Sequence, residues 1–320
     1  MSAPLTPVAA GHAPGGPAAD APAGLPPVPP QAPLQMPEQD FRAPPPPGPA
    51  FQRAAPDVLL ARLIAFGGAA LVTGIGFWQM LLVFGDRIQP LQYALLALFT
   101  LTFGWVGFSF CSMLAGLVAR PPETPVDPGN ARVAVVMPVY HEDAAVSMGL
   151  LAALADELAA EGMVGRAEIF VLSDSRDPDW FAAETLAVSA LREICPLPVW
   201  YRRRTDNTGR KAGNIADFVR RWGGRYDQMV VLDADSVVSG RVIGEMSARM
   251  SADPALALIQ TVPMLVGGQT IFARVTQFAG RFYGPVIARG VATWSGDNGN
   301  FWGHNAMIRV RAFAECCGLP

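Results

Sequence analysis

The chain has 320 residues, of which 51% are hydrophobic and 16% charged, with a formal net charge of -3. That balance is too apolar for an ordinary soluble enzyme and too mixed for a bundle of membrane helices alone. No basic arm stands out, so no nucleic-acid partner is expected. The four cysteines (Cys111, Cys195, Cys316 and Cys317) show neither a disulfide framework nor a metal-ligand spacing, which favours a reducing compartment.

Residues 1–56 hold more than half of the prolines, mixed with Ala and Gly. Proline removes a backbone donor, and this stretch has little apolar mass to bury, so a disordered, solvated tail is expected. It lacks the charged start and apolar core of a signal peptide. Two long apolar runs follow, at about 58–84 and 91–119, within a hairpin region 57–120. Each exceeds the ~20 residues that cross a bilayer as a helix. Gly85-Asp86-Arg87 breaks them and Pro90 starts the second. Arg53, Arg62 and Arg120 fall on one side of the hairpin, which predicts that side to be cytoplasmic.

From about Asn130 short β-rich runs alternate with helical stretches. Strands are expected at Val133–Val136, Ile169–Leu172, Val199–Arg202, Met229–Leu232 and Leu256–Thr261. Helices are expected at Ala144–Glu161, Asp179–Glu193, Gly213–Trp222 and Val242–Met250, and one from Ile271. Asp143 and Asp177-Pro178 supply start signals for the first two. The alternation predicts an α/β domain over 130–320: a Rossmann-type, mostly parallel sheet with helices on both faces.

Ligands of such sheets bind beyond the carboxyl ends of the strands. There the sequence places Glu142, Asp174, the basic loop Gly209-Arg210-Lys211-Ala212-Gly213, and Asp233-Ala234-Asp235. Strand side chains alternate, so Asp233 and Asp235 are expected to point the same way. Two carboxylates on one side suit a hard divalent cation that also binds phosphate oxygens. Lys211, with glycines on both sides, suits a phosphate. An isolated Asp-x-Asp is weak evidence, and Glu142 and Asp174 taken singly read as plain caps. No dinucleotide fingerprint or P-loop is present. Phe272, Phe278, Phe282 and Tyr283 are spaced for one helix side, which suggests core packing or membrane contact. Trp294–Asn298 reads as a polar loop that could line a channel.

Five segments occur in the order seen in the processive family 2 glycosyltransferases. They are Pro138-Val139-Tyr140-His141-Glu142, Ser173-Asp174-Ser175, Lys211-Ala212-Gly213-Asn214, Asp233-Ala234-Asp235 and Gln260-Thr261-Val262-Pro263. The chain resembles that family from about Arg132 to Pro320. Its finer wording is similar to the branch that builds periplasmic β-glucans: Leu172–Asp177, Arg202-Arg203-Arg204, Asn207–Asn214 and Gly303-His304-Asn305-Ala306.

The resemblance implies a GT-A fold, UDP-glucose as donor, a divalent metal (Mg2+ or Mn2+) and inverting transfer to a β-glucan acceptor. It implies a multi-pass protein of the bacterial inner membrane, in contact with the lipid bilayer, with tail and catalytic domain cytoplasmic, and with periplasmic glucan-processing partners. Residue by residue, it implies Glu142 and Asp174 at the uridine, Lys211 at the diphosphate, and Asp233 and Asp235 at the metal and donor. It also implies Trp302, Gly303 and His304 at the acceptor terminus. The family's general base is an Asp on a later segment, followed by Gln-x-x-Arg-Trp and further spans. None of these is recognised in the sequence, so the general base is expected beyond Pro320. The chain is then expected to be a fragment that binds UDP without turnover. A cellulose- or hyaluronan-like synthase, or a non-catalytic nucleotide-sugar-binding membrane module, fits the same residues.

Overall fold

The computed structural model describes residues 26–40, 42–43, 56–85, 87–119, 129–296 and 298–318. The first 25 residues of the tail, Arg53, Asp86, Arg120, Asp297, Leu319 and Pro320 lie outside the described residues. The general base expected beyond Pro320 lies outside them too, and the described residues do not bear on it.

The expected apolar hairpin is present as helix. α1 (Pro56–Arg62) runs through a π-turn at Leu63–Gly67 into α2 (Gly68–Phe84), and α3 (Pro90–Val118) packs back along it. Each continuous span is 29 residues, long and apolar enough to cross a bilayer. The outer faces are bare: Leu71, Trp78, Leu101 and Trp105 are all exposed. Thr73 and Thr100 donate their hydroxyls to the carbonyls of Ala69 and Leu96, so neither leaves a polar group open on an apolar surface.

The remainder forms a six-stranded sheet. β1 (Val133–Val139), β2 (Ala167–Ser173), β3 (Val199–Arg203) and β4 (Gln228–Val231) pair in parallel in the order 3-2-1-4. β6 (Ala306–Arg309) lies antiparallel against β4, and β5 (Leu258–Gln260) antiparallel against β6 at the edge. The sheet is therefore mostly parallel, as expected, with helices on both faces. The expected fifth strand shrinks to three residues, and an unexpected strand separates it from β4.

Parallel strands are covered on both faces, and the β1 side chains show it. Val133, Val135 and Met137 join a core built with α4 (Ala144–Ala160), α5 (Pro178–Ile194) and α7 (Gly240–Ala252). Ala134 and Val136 join a second core with α6 (Arg210–Trp222) and α9 (Val310–Cys316). The caps fall where expected. Asp143 accepts from the amides of Ala145 and Val146, and Asp177 accepts from that of Asp179.

The tail differs from expectation where it is described. Residues 26–40 lie extended against the second core, with Met36 buried among its members. Proline-rich chain needs no internal hydrogen bonds to stay extended, so it can lie in a groove as readily as in water.

α8 (Ile271–Ser295) crosses α3 at two glycines. A Cβ on Gly116 would overlap the Val286 carbonyl oxygen, and one on Gly290 would overlap that of Ser112. Arg62 closes the far end by donating to the carbonyls of Trp294 (2.9 Å) and Ser295 (3.5 Å). The Trp294 ring packs between Phe66 and Phe108. Trp294 and Ser295 therefore belong to the helix end rather than to a loop. Phe272, Phe278 and Phe282 are exposed and join neither core among the described residues. Gly290→Leu is expected to cost about 1–3 kcal/mol by overpacking, because backbone cannot move aside like a side chain. Thermal melting in detergent would read it, with Gly284→Ala as control because no neighbour stands within 4 Å of that site.

Candidate functional site

A cavity of about 770 Å³ opens at the carboxyl ends of β1, β2 and β4. It gathers Glu142, Asp174, Lys211, Asp233 and Asp235, which the sequence placed on four separate segments. Parallel pairing in register explains the convergence: Val139 sits beside Ser173 and Val136 beside Val231, so the chain leaves each strand at nearly the same level.

Local geometry departs from the expectation at two points. The backbone has left β4 before Asp233, and the Ser236 amide donates to the Asp233 carbonyl (3.1 Å) in a turn. The two aspartates thus share the cavity through a turn, not through strand alternation. Lys211 sits not in a loop but in the first turn of α6. Gly209, at φ 70°, lets the helix begin there, and a Cβ on Gly213 would overlap the Thr208 carbonyl oxygen.

Lys211 Nζ donates to Asp233 Oδ1 and, at 2.7 Å, to the carbonyl of Gly303. His304 Nδ1 stands 3.9 Å from Asp233 Oδ2. One lysine therefore joins the aspartate pair to the segment expected at the acceptor. Gln260 fixes that segment, accepting from the Trp302 amide (3.0 Å) and donating to the His304 carbonyl (3.0 Å). Asp235 and Glu142 are exposed on the cavity, with no hydrogen bond or ion pair among the described residues. Trp302 lines a different cavity of about 1050 Å³, between β5 and α8.

Asp174 is buried at 5% exposure, and both its oxygens accept from Arg204, at 2.6 and 2.7 Å. The same guanidinium donates to the carbonyls of Thr208 (3.0 Å) and Arg210 (2.9 Å). It thereby ties the end of β2 to the start of α6. The bond to Asp174 pushes the Arg204 pKa up, against the pull of partial burial. Beneath it, burial draws Arg202 down to about 10 while Asp217, at 3.1 Å, opposes. Behind the cavity wall the buried Glu184 accepts from Ser175 (2.6 Å) and Tyr201 (2.9 Å), and Ser175 accepts from the His141 amide (3.0 Å). Sequence reading gave Arg204, Gln260 and Glu184 no role. For Arg204 the signal was a basic run leaving one strand beside an acid ending the next.

His141, Arg210 and Asn305 are the non-glycine residues with left-handed backbone among those described, at φ 56°, 49° and 52°. His141 follows β1, Arg210 opens α6 and Asn305 precedes β6. Such conformations persist where surrounding contacts impose them, and they concentrate at functional sites.

Among the described residues, no cluster of three or more His, Cys, Asp or Glu side chains is preassembled for a metal. Two carboxylates facing an open, polar cavity still fit a hard cation that keeps waters and takes its other ligands from a bound phosphate.

The family profile "Glycosyl transferase family 2" matches residues 134–317. Curated relatives share the name glucans biosynthesis glucosyltransferase H. That of Xanthomonas oryzae pv. oryzae is 44% identical over 314 residues, covering 93% of this chain and 48% of the relative. That of Xylella fastidiosa is 43% identical over 306 residues, covering 92% and 48%. The chain thus spans about half the length of the curated relatives it matches. A solved mannosyltransferase from Pyrobaculum calidifontis, in complex with GDP-Man and Mn2+, is 14% identical with a TM-score of 0.42, covering 79% of this chain and 55% of that one.

Proposed function

Because the chain belongs to glycosyl transferase family 2, we propose that it holds the donor site of a membrane-anchored enzyme transferring glucose from UDP-glucose to a growing β-glucan. One observation carries the reading: Lys211, Asp233 and Asp235 line the same cavity as Glu142 and Asp174, and Lys211 pairs with Asp233. The first group suits a diphosphate with its cation, and the second suits a nucleoside.

The residues divide the work by chemistry. Lys211 leaves Asp233 and turns its three donors to the diphosphate. Lys211 stands in the first turn of α6, where the helix N-terminus favours an anion. Asp233 and Asp235 would hold a Mg2+ or Mn2+ ion, which supplies Lewis-acid neutralisation of the departing diphosphate when bound. Asp174, held still by Arg204, and Glu142 offer acceptors to the uridine. In inverting transfer the acceptor hydroxyl forms the new bond from the face opposite the departing UDP. We assign the accompanying proton to no residue described above. Trp302, Gly303 and His304 are assigned to the acceptor side, and the contacts of Gly303 to Lys211 and of His304 to Asp233 support a shared wall.

The apolar hairpin supports a place in a membrane, which we take to be the bacterial inner membrane with the domain on the cytoplasmic side. Partner enzymes that process periplasmic glucan belong to the same proposal. In detergent with Mn2+, calorimetry should show UDP and UDP-glucose competing for one site, GDP binding at least tenfold more weakly, and EDTA abolishing the signal. Equal binding of GDP, or indifference to EDTA, would defeat the assignment. Transfer itself is to be measured on the full-length protein.

A further inference from the structure

Residues 26–40 lie in a groove made by the end of α6, the turn after it and α9. The contacts are made largely by backbone. The Ala32 amide donates to the Arg221 carbonyl (2.9 Å), and the Gly224 amide donates to the Ala32 carbonyl (2.9 Å). The Leu34 amide donates to Arg220 (3.3 Å), and that of Gln39 to Gly318 (3.0 Å). The buried Trp222 indole donates to the Pro29 carbonyl at 3.0 Å. This pattern resembles the recognition of an extended peptide, with main-chain bonds for affinity and side-chain pockets for register.

The groove is shaped for such an occupant. A Cβ on Gly224 would stand 2.9 Å from the Ala32 carbonyl oxygen, and one on Gly318 would overlap that of Pro37. Missing side chains on the domain thus make room for the backbone of the segment. Met36 is buried, packed with the second core. Prolines at 26, 27, 29, 30, 33 and 37 hold the segment extended beforehand, which lowers the ordering cost of docking.

We propose that residues 26–40 are a separable peptide latch. Docked in cis, they hold the C-terminal end of α6, the helix whose first turn carries Lys211. Release loosens α6 and weakens the site at its other end. The last step rests on the donor-site reading; the docking and the effect on α6 do not.

The test uses the full chain in detergent, with hydrogen exchange followed by mass spectrometry. In the unaltered chain, peptides containing Ala32, Leu34 and Gln39 should exchange at least tenfold more slowly than a synthetic 26–40 peptide. Met36→Asp should bring them to the free rate and speed exchange in α6. Adding the synthetic peptide should restore α6 protection in Met36→Asp. Gly224→Val, on an exposed turn, should release the latch in the same way but resist rescue, because its groove is blocked. UDP affinity should fall about threefold or more in both variants. Free-rate exchange at 26–40 in the unaltered chain would overturn the latch, as would release without any change in α6. Failure of the unaltered chain to bind UDP would sink the donor reading while leaving both exchange results intact.

Discussion

Asp233→Asn should remove metal-dependent UDP binding from this chain and lower transfer by the full-length protein about a thousandfold, the scale of losing several kcal/mol of Lewis-acid stabilisation. Asparagine keeps the shape and a single acceptor but cannot offer a charged ligand. Asp235→Asn should do the same, although Asp235 has no partner among the described residues. The Lys211–Asp233 pair makes a sharper expectation available. In this structure the lysine already neutralises the aspartate. A cation arriving alone must break that pair, and so must a diphosphate arriving alone. Arriving together, cation and diphosphate exchange partners with Asp233 and Lys211, and no charge is left unmatched. Mn2+ and UDP should therefore each bind weakly alone and tightly together. Lys211→Met should then have effects of opposite sign. UDP binding weakens by roughly 10–100-fold, the value of hydrogen bonds to a charged group. Binding of Mn2+ alone strengthens, because Asp233 is released. Calorimetry with each ligand separately and with both checks all three statements. If Lys211→Met weakened Mn2+ and UDP alike, the exchange of partners would be wrong.

Much of this site was legible because parallel strands encode it simply. An apolar run followed by an acid, repeated at Asp174 and Asp233, marks by itself the end of the sheet where the cavity residues gather. The hairpin was legible for a related reason: a long uncharged run leaves the backbone no partner in lipid but itself. What escaped depends on neighbours distant in sequence. β6 has only four residues, Ala306–Arg309, and their strand character comes from lying between β4 and β5. Composition marked the tail as unable to fold alone, and that says nothing about docking. The groove that takes residues 26–40 is built by Trp222, Gly224 and Gly318, none of which carries a signal for it. The turn that presents Asp233 and Asp235 escaped because an Asp-x-Asp spacing fits a strand end and a turn equally well.

Arg204 should prove the residue on which both the fold and the site depend. Arg204→Ala leaves a carboxylate at 5% exposure without its guanidinium, and frees the carbonyls of Thr208 and Arg210. Removing one member of such a buried pair costs about 3–5 kcal/mol, while replacing both with apolar groups of similar volume can be nearly neutral. The double variant Asp174→Leu with Arg204→Met should accordingly recover most of the stability lost in Arg204→Ala. It should not recover UDP binding, because the acceptor we propose for the nucleoside is gone, and so is the guanidinium that ties the end of β2 to the start of α6. Arg204→Lys is the informative intermediate. A lysine restores the charge but not the planar fork that reaches Asp174, Thr208 and Arg210 together. Stability should return in part, and UDP affinity should stay well below that of the unaltered chain. Denaturant melts and calorimetry on these variants separate the two roles. Recovery of UDP binding in the double variant would make Asp174 a structural residue only, and would leave nucleoside recognition to Glu142.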